Sequence, residues 1–356
     1  MYTDTTEPAL DPDGWGFLDT RGEIPDQEYV VDRIVPEGEV SMMFAAAGDG
    51  KSMTALYMAY CITTGAKFYN LTTKPGPVLY IDSETHSRTA RRRLSRILDG
   101  PAATEILYIQ KPGLLRDDAV IEKILDYVKS KGVKPVLTII DSLQSATFID
   151  NLDANQIIAI FAQLNEAFGT VLVLDHTPLD NDGRPIGSSF KKNCVRSLFG
   201  LRTKAHEGGE DEDDSMTVRF AQSKVNDDKP LMGCGGTMWF EDERGKGHIR
   251  FEPMTKDEAV KAIREDRVFE WLGCCGGAEV KLADIQAAFS PDIDPDQVST
   301  LLSHLKAEGR VLNPRRGWWC VLGFTDTLTA DMTATSVVRD AKKEVVGAPP
   351  ARVPNN

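Results

Sequence analysis

The sequence predicts an α/β chain built on a mostly parallel sheet with helices on both faces, and two observations carry that expectation. Apolar runs of strand length recur between residues 40 and 174, and they are apolar almost throughout rather than at every second position. That pattern marks strands buried on both faces. Amphipathic segments of helix length separate the runs, and a helical crossover is the connection that consecutive parallel strands need.

The first run is Val40 to Ala45, followed by a helix from Lys51 to about Thr64. Val78 to Ile81, a helix near Arg88 to Leu98, Ile106 to Ile109 and a helix near Asp118 to Lys129 continue the alternation. Val136 to Ile140, a helix near Ala154 to Phe168 and Val171 to Leu174 complete it, the last run being expected as the final parallel strand. Strand-like segments at Ser197 to Leu201, Met216 to Ala221, Thr237 to Phe240 and His248 to Phe251 are separated by turn-rich loops, and should extend the sheet as hairpins.

From about Lys256 the pattern becomes helical again. Helices are expected near Ala259 to Trp271, Leu282 to Ala288 and Asp296 to Glu308, then strands around Val311-Leu312 and Trp318 to Leu322. Three helices followed by a hairpin bearing Pro314-Arg315-Arg316-Gly317 suggest a small C-terminal winged-helix-like domain. The expected organisation is a partly disordered segment over 1–27, the main domain over 28–254, the small domain over 255–323 and a disordered tail over 324–356. No internal repeat is present.

The totals agree with two cores. A chain of 356 residues with 41% hydrophobic composition can bury one sizeable core and a smaller second one. No stretch approaches the roughly 20 consecutive apolar residues of a membrane span, so a cytoplasmic protein with no membrane partner is expected. Cys61, Cys194, Cys234, Cys274, Cys275 and Cys320 form no CxxC pair, which argues against a zinc site and a disulfide framework; the adjacent Cys274 and Cys275 read as two small buried residues at a helix end. A net charge of -13 is the wrong sign for a protein coated in nucleic acid, so any such contact has to come from local basic patches or a channel. Part of the excess is one solvated loop, Glu207 to Asp214, with six acids in eight positions.

The chemistry concentrates at the carboxyl ends of the predicted parallel strands, where open α/β sheets bind ligands. Ala45-Ala46-Ala47-Gly48-Asp49-Gly50-Lys51-Ser52 lies between a buried strand and a helix, the context in which this pattern cradles phosphates. Ala47, Gly48, Asp49, Gly50, Lys51, Ser52 and Met53 are the expected nucleotide contacts, with Lys51 on the β- and γ-phosphates and the Ser52 hydroxyl on magnesium. ATP and Mg2+ are the expected ligands. Val78-Leu79-Tyr80-Ile81-Asp82-Ser83-Glu84 delivers two carboxylates to the same edge, one of which can polarise an attacking water. Asp141, after the next apolar strand, stands where an acid would hold a magnesium-bound water. Asp175-His176-Thr177 ends the last predicted parallel strand, and His176 is either a γ-phosphate sensor or a structural residue.

In this order the stretches resemble the RepA-type branch of the RecA-like ATPases, the hexameric helicases of plasmids and phages and their relatives, over about residues 28 to 254. The resembling residues are Val31 to Pro36, the P-loop, Val78 to Glu84, Ile140-Asp141-Ser142-Leu143, Asp150 to Asn155 and His176-Thr177. Gly187-Ser188-Ser189 to Asn193, Arg196 and Val218 to Lys224 continue them. The resemblance implies a RecA-like sheet, Glu84 rather than Asp82 as catalytic base or water-positioning residue, Asp141 as the Walker B acid and His176 as the sensor. It also implies that Arg196 and Lys224 act in trans on a neighbouring subunit's γ-phosphate, within a ring of six, whereas the residues alone equally allow Arg196 as a surface partner of the acidic loop and Lys224 as a solvated strand-end lysine. Two departures stand out: Ala45 replaces the first P-loop glycine, and Asp175-His176 stands where the family often has two histidines.

The expected activity is therefore that of a ring-forming, single-stranded-DNA-dependent ATPase and helicase in phage or plasmid DNA replication. A filament-forming recombination ATPase and a regulatory or defence ATPase are the alternatives. Residues 257–323 carry eight Lys/Arg against eleven Asp/Glu, yet Lys306, Arg310, Arg315 and Arg316 cluster near their end. Contact with DNA and docking of a replication partner both remain open for this part.

Overall fold

The computed structural model describes residues 26–97, 105–151, 153–176, 190–206, 214–226, 228–241 and 247–321. In chain order the elements begin with β1 (Tyr29–Val31), β2 (Val35–Pro36), β3 (Val40–Ala45), α1 (Lys51–Thr64), β4 (Val78–Asp82), α2 (Ser87–Ile97) and β5 (Ile106–Gln110). They continue with α3 (Asp118–Ser130), β6 (Leu137–Asp141), α4 (Leu143–Thr147), α5 (Ala154–Phe168), β7 (Val171–His176), α6 (Phe190–Cys194), β8 (Ser197–His206), β9 (Asp214–Val225), β10 (Cys234–Phe240) and β11 (Ile249–Pro253). The last part holds α7 (Lys256–Cys274), β12 (Val280–Lys281), α8 (Leu282–Phe289), α9 (Pro295–Ala307), β13 (Val311–Arg315) and β14 (Trp318–Val321).

Nine strands form the central sheet in the order β11-β10-β9-β8-β3-β7-β6-β4-β5. The run from β8 to β5 is parallel, and β9 to β11 add antiparallel hairpins at the β8 side. This is the α/β class expected from the sequence, a mostly parallel sheet covered by helices on both faces. The expectation that Val171 to Leu174 would be the final parallel strand is corrected, because β8 pairs parallel with β3 before the chain turns back into β9. Its outer half, Arg202 to His206, is exposed or half-buried, which breaks the continuous apolar pattern that identifies parallel strands.

Each parallel strand sends alternate side chains to opposite faces. Met43, Tyr80, Ile139, Leu172 and Leu174 pack with α1 and the buried end of α2 on one face, whereas Met42, Phe44, Ile140, Val173 and Leu198 pack with α3, α4 and α5 on the other. A third apolar cluster is built from α7, α8, α9 and the small β12-β14-β13 sheet, around Val268, Trp271, Leu302 and Trp319. The helix starts follow their local chemistry. Asp153 caps α5 by accepting from the backbone of Asn155 and Gln156, and Thr255 and Glu258 form a reciprocal capping box on α7.

Two expectations about individual residues change. Cys275 is buried but Cys274 is exposed, since the helix turn places the two on different sides. Arg310 does not belong to a surface basic cluster: it is buried, bonds Asp266 at 3.1 Å and lies over the Phe269 ring at 4.3 Å. Arg315 is engaged as well, on Glu279 and over Trp318. The expected acidic loop over 207–213, the tail over 324–356, Thr177 and Gly187 to Ser189 lie outside the described residues.

Candidate nucleotide-binding site

Strand register lines up the ends of four strands. Ala45 of β3 stands beside His176 of β7, and Asp82 of β4 stands beside Asp141 of β6. The loop after β3 is shaped by Gly48 (φ 92°) and Gly50 (φ 72°), both in the left-handed region that a side chain disfavours. Gly50 is also the N-cap of α1, and no side chain caps this helix. Its first amides, those of Lys51, Ser52 and Met53, are left for an anion, and the helix dipole favours negative charge there.

Lys51 is buried, with its Nζ donating to the carbonyls of Ala45 and Ala46 at 2.9 Å each. Burial pushes its ammonium down from the usual range, opposed by Asp141, Asp49, Glu84 and Asp175. Lys51 Nζ also lies 3.3 Å from His176 Nδ1. An ammonium only donates, so Nδ1 accepts and the ring proton sits on Nε2, which faces Glu84 Oε1 at 3.5 Å. His176 thus bridges the P-loop lysine and Glu84.

Glu84 is further held by the hydroxyls of Ser142 and of Ser145, the latter at 2.9 Å. The His176 bond, then Ser142 and Ser145, bring its carboxyl down to about 2 against the opposing effect of burial. Asp82 is committed elsewhere. It is buried, its Oδ1 accepts from the backbone of Glu84 and Thr85, and its Oδ2 accepts from the Tyr108 hydroxyl. Asp82 therefore shapes the turn that presents Glu84, the half-exposed carboxylate of the two.

Asp141 accepts from the Tyr80 hydroxyl at 2.8 Å, and the Ser52 hydroxyl lies near it. Burial raises its carboxyl, and these two hydroxyls oppose the rise. A buried carboxylate beside a hydroxyl, in want of a cation, fits Mg2+, which takes oxygen ligands and commonly uses one or two carboxylates with substrate phosphates and waters. No group of three His, Cys, Asp or Glu side chains able to hold a metal occurs among the described residues.

The profile of the AAA_25 family, described as an AAA domain, matches residues 5–182, half of the 356-residue chain. The chain belongs to this AAA domain family. No curated protein matches it. Among solved structures it matches the KaiC-like protein PH0186 of the hyperthermophilic archaeon Pyrococcus horikoshii OT3, at 16% identity and a TM-score of 0.40. That match covers 63% of this chain and 94% of the other.

This AAA domain is a P-loop ATPase domain, with Lys51, Ser52, Asp141, Glu84 and His176 gathered at one sheet edge. Arg196 and Lys224 are not among them. The Arg196 amide bonds the carbonyl of Val40, at the start of β3, and its guanidinium lies 3.3 Å from Glu39. The length of β3 separates that point from the P-loop, about 16 Å at the usual strand rise. Lys224 is nearby, bonded through Nζ to the carbonyls of Lys192 and Val195 at 2.8 and 2.6 Å. Burial lowers its ammonium first, and Arg196 lowers it further. Asp175 does not face a phosphate either; it forms a buried pair with Lys191 at 2.7 Å. The residues sequence reasoning missed are the hydroxyls of Ser142 and Ser145. Ser142 directly follows Asp141 and Ser145 lies one turn along α4, so their spacing was visible although their partner, Glu84, was not.

Proposed function

We infer that this AAA domain protein hydrolyses ATP as a ring-forming motor stimulated by single-stranded DNA, the ring being hexameric as in the family it resembles. The observation that carries this reading is the division of the expected machinery between two edges of the sheet. Lys51, Ser52, Asp141, Glu84 and His176 meet at the carboxyl edge, while Arg196 and Lys224 stand together at the amino edge. A site that needs an additional cation for its transition state would be completed by a neighbouring copy presenting its amino edge.

Within one copy the roles follow from the geometry. The amides after Gly50 and the Lys51 ammonium bind the phosphates, and Lys51 exchanges its loop carbonyls for phosphate oxygens. Ser52 and Asp141 would hold Mg2+, which when bound neutralises charge on the β- and γ-phosphates. Glu84, ionised at any physiological pH, orients a water by accepting its proton in a hydrogen bond. With its carboxyl near 2 it is a weak base while Ser142, Ser145 and His176 hold it, so its main contribution in this arrangement is position. His176, touching Lys51 and Glu84, reports the γ-phosphate to both.

ATP turnover and unwinding of a tailed duplex, measured with and without single-stranded DNA, test the reading. The expected result is turnover that rises with single-stranded DNA and ATP-driven strand separation, with binding that weakens as salt rises. Turnover and assembly indifferent to saturating DNA, with no unwinding on either tail polarity, would leave an ATPase without the motor function.

A further inference from the structure

The helix that follows Glu84 is unlike the rest of this acidic chain. α2 carries five arginines in eleven residues, with no acid among them, in a protein of net charge -13. The five divide between two directions. Arg93 donates to the Thr85 hydroxyl at 3.3 Å and Arg96 to the carbonyl of Gly247 at 3.0 Å, while Leu94 and Ile97 turn into the core. Arg88, Arg91 and Arg92 are exposed, and their guanidinium groups have no acceptor among the described residues. Positions i, i+3 and i+4 share one helix face, with neighbouring side chains about 5–6 Å apart.

We propose that this face of α2 binds the phosphate backbone of a nucleic acid strand. The inference rests on the nucleic-acid reading of the motor and names the surface that serves it. The chemistry favours a polyanion over a protein partner. A protein interface has an apolar centre, whereas the exposed positions here are Ser87, Arg88, Thr89, Arg91, Arg92 and Ser95, with hydroxyls between guanidiniums. Guanidinium forks match phosphate oxygens, hydroxyls add hydrogen bonds, and no aromatic ring is present to stack on a base. Such a surface holds a strand by charge, without reading its sequence.

The position of α2 gives the contact a consequence. Thr85, next to Glu84, is tied to α2 through Arg93, to Asp82 through its amide and to Gln110 through its carbonyl. A strand lying on the outer face of α2 therefore presses on the same short segment that presents Glu84 to the γ-phosphate. Nucleic acid on this helix can raise turnover without touching ATP.

The test replaces Arg88, Arg91 and Arg92 together by Gln in the full chain, all three being exposed and outside the nucleotide site. Fluorescence anisotropy of a labelled oligothymidine across a salt series, ATP turnover and sedimentation are measured on both proteins. The variant should keep basal turnover and assembly, lose about tenfold or more in affinity, and lose stimulation by DNA. Its plot of log affinity against log salt should flatten by about 2, near 0.7 for each of three lost single-strand phosphate contacts. Replacement by Lys should restore part of the binding. Equal affinity and slope in the Gln variant would overturn the assignment to α2 and leave the motor reading standing. A variant that falls apart with unchanged affinity for DNA would make this face a contact between copies, and would also overturn it. Absence of binding by the unmodified protein would remove the motor reading and this proposal together.

Discussion

Lys51 shows how one residue serves two states of the site. Its ammonium is buried and satisfied by two carbonyls of its own loop, so an incoming phosphate replaces partners that are already in place. Lys51→Ala should abolish turnover and severely weaken nucleotide binding, as read by ATPase assay and by titration with a fluorescent nucleotide; unchanged turnover would be fatal to the P-loop assignment. Glu84→Gln should keep nucleotide binding and slow hydrolysis by about 100-fold or more, whereas Asp82→Asn should act through the fold of the turn. If Asp82→Asn gives the selective loss of hydrolysis and Glu84→Gln does not, the roles are reversed. Acid stability provides an independent reading of Glu84. Its folded carboxyl, near 2, lies below the ordinary 4.5, so its charge stabilises the fold above pH 4.5 and that contribution is lost as pH falls from 4.5 toward 2. The side chain is 38% exposed, so the effect is small and its sign is what matters. In urea unfolding, the stability gap between the native chain and Glu84→Gln should narrow between pH 7 and about pH 3, because protonation removes the same charge. A constant gap would mean that Ser142, Ser145 and His176 do not hold the charged form.

Among the elements, β7 and α6 are joined by a buried ion pair that the sequence alone does not reveal. Asp175 and Lys191 are both almost fully buried, and residues between them separate the partners along the chain. Lys191→Met should therefore cost about 3 kcal/mol or more in unfolding free energy, since Asp175 would be left charged without a partner. Adding Asp175→Leu should recover most of that loss, and a double variant as unstable as the single one would place the damage elsewhere. Long-range pairs of this kind mark the boundary of what was legible. The strands from Val40 to Leu174 were readable because burial on both faces makes their runs almost wholly apolar, and the helices between them because one face is apolar. β8 was placed, but its parallel partner β3 was not foreseen, because its exposed outer half resembles a hairpin strand. The short α4 was missed; its five residues carry too little periodicity to read. At the site, Lys51, Ser52 and Asp141 were recognisable from context, whereas the bonds from Ser142 and Ser145 to Glu84 join residues about 60 positions apart and emerge only from the register of β4 on β6.

At the scale of the whole molecule, charge is sorted by location. Among the described residues, no helix is long and apolar enough to cross a membrane. Arg219 of β9 reaches Glu265 at 2.6 Å and Asp266 at 3.4 Å on α7, and Arg310 meets Asp266 from the other side, so ion pairs pin the C-terminal helices to the hairpin extension of the sheet. Arg310 is thereby withdrawn from any surface patch, and the exposed arginines of α2 form a basic face on the helix that follows Glu84. Arg196 and Lys224 occupy the far edge, where they can act on ATP only if another copy brings its P-loop to them. A mixing experiment addresses that claim. Arg196→Ala and Lys51→Ala proteins are each expected to be inactive, the first with an intact P-loop and the second with an intact arginine. Combined and re-assembled, they create interfaces in which one copy's Lys51 faces another copy's Arg196, and ATP turnover should return to a measurable fraction of the unmodified rate. No recovery in rings demonstrated to contain both variants, or full turnover by an isolated monomer, would contradict a site shared between copies.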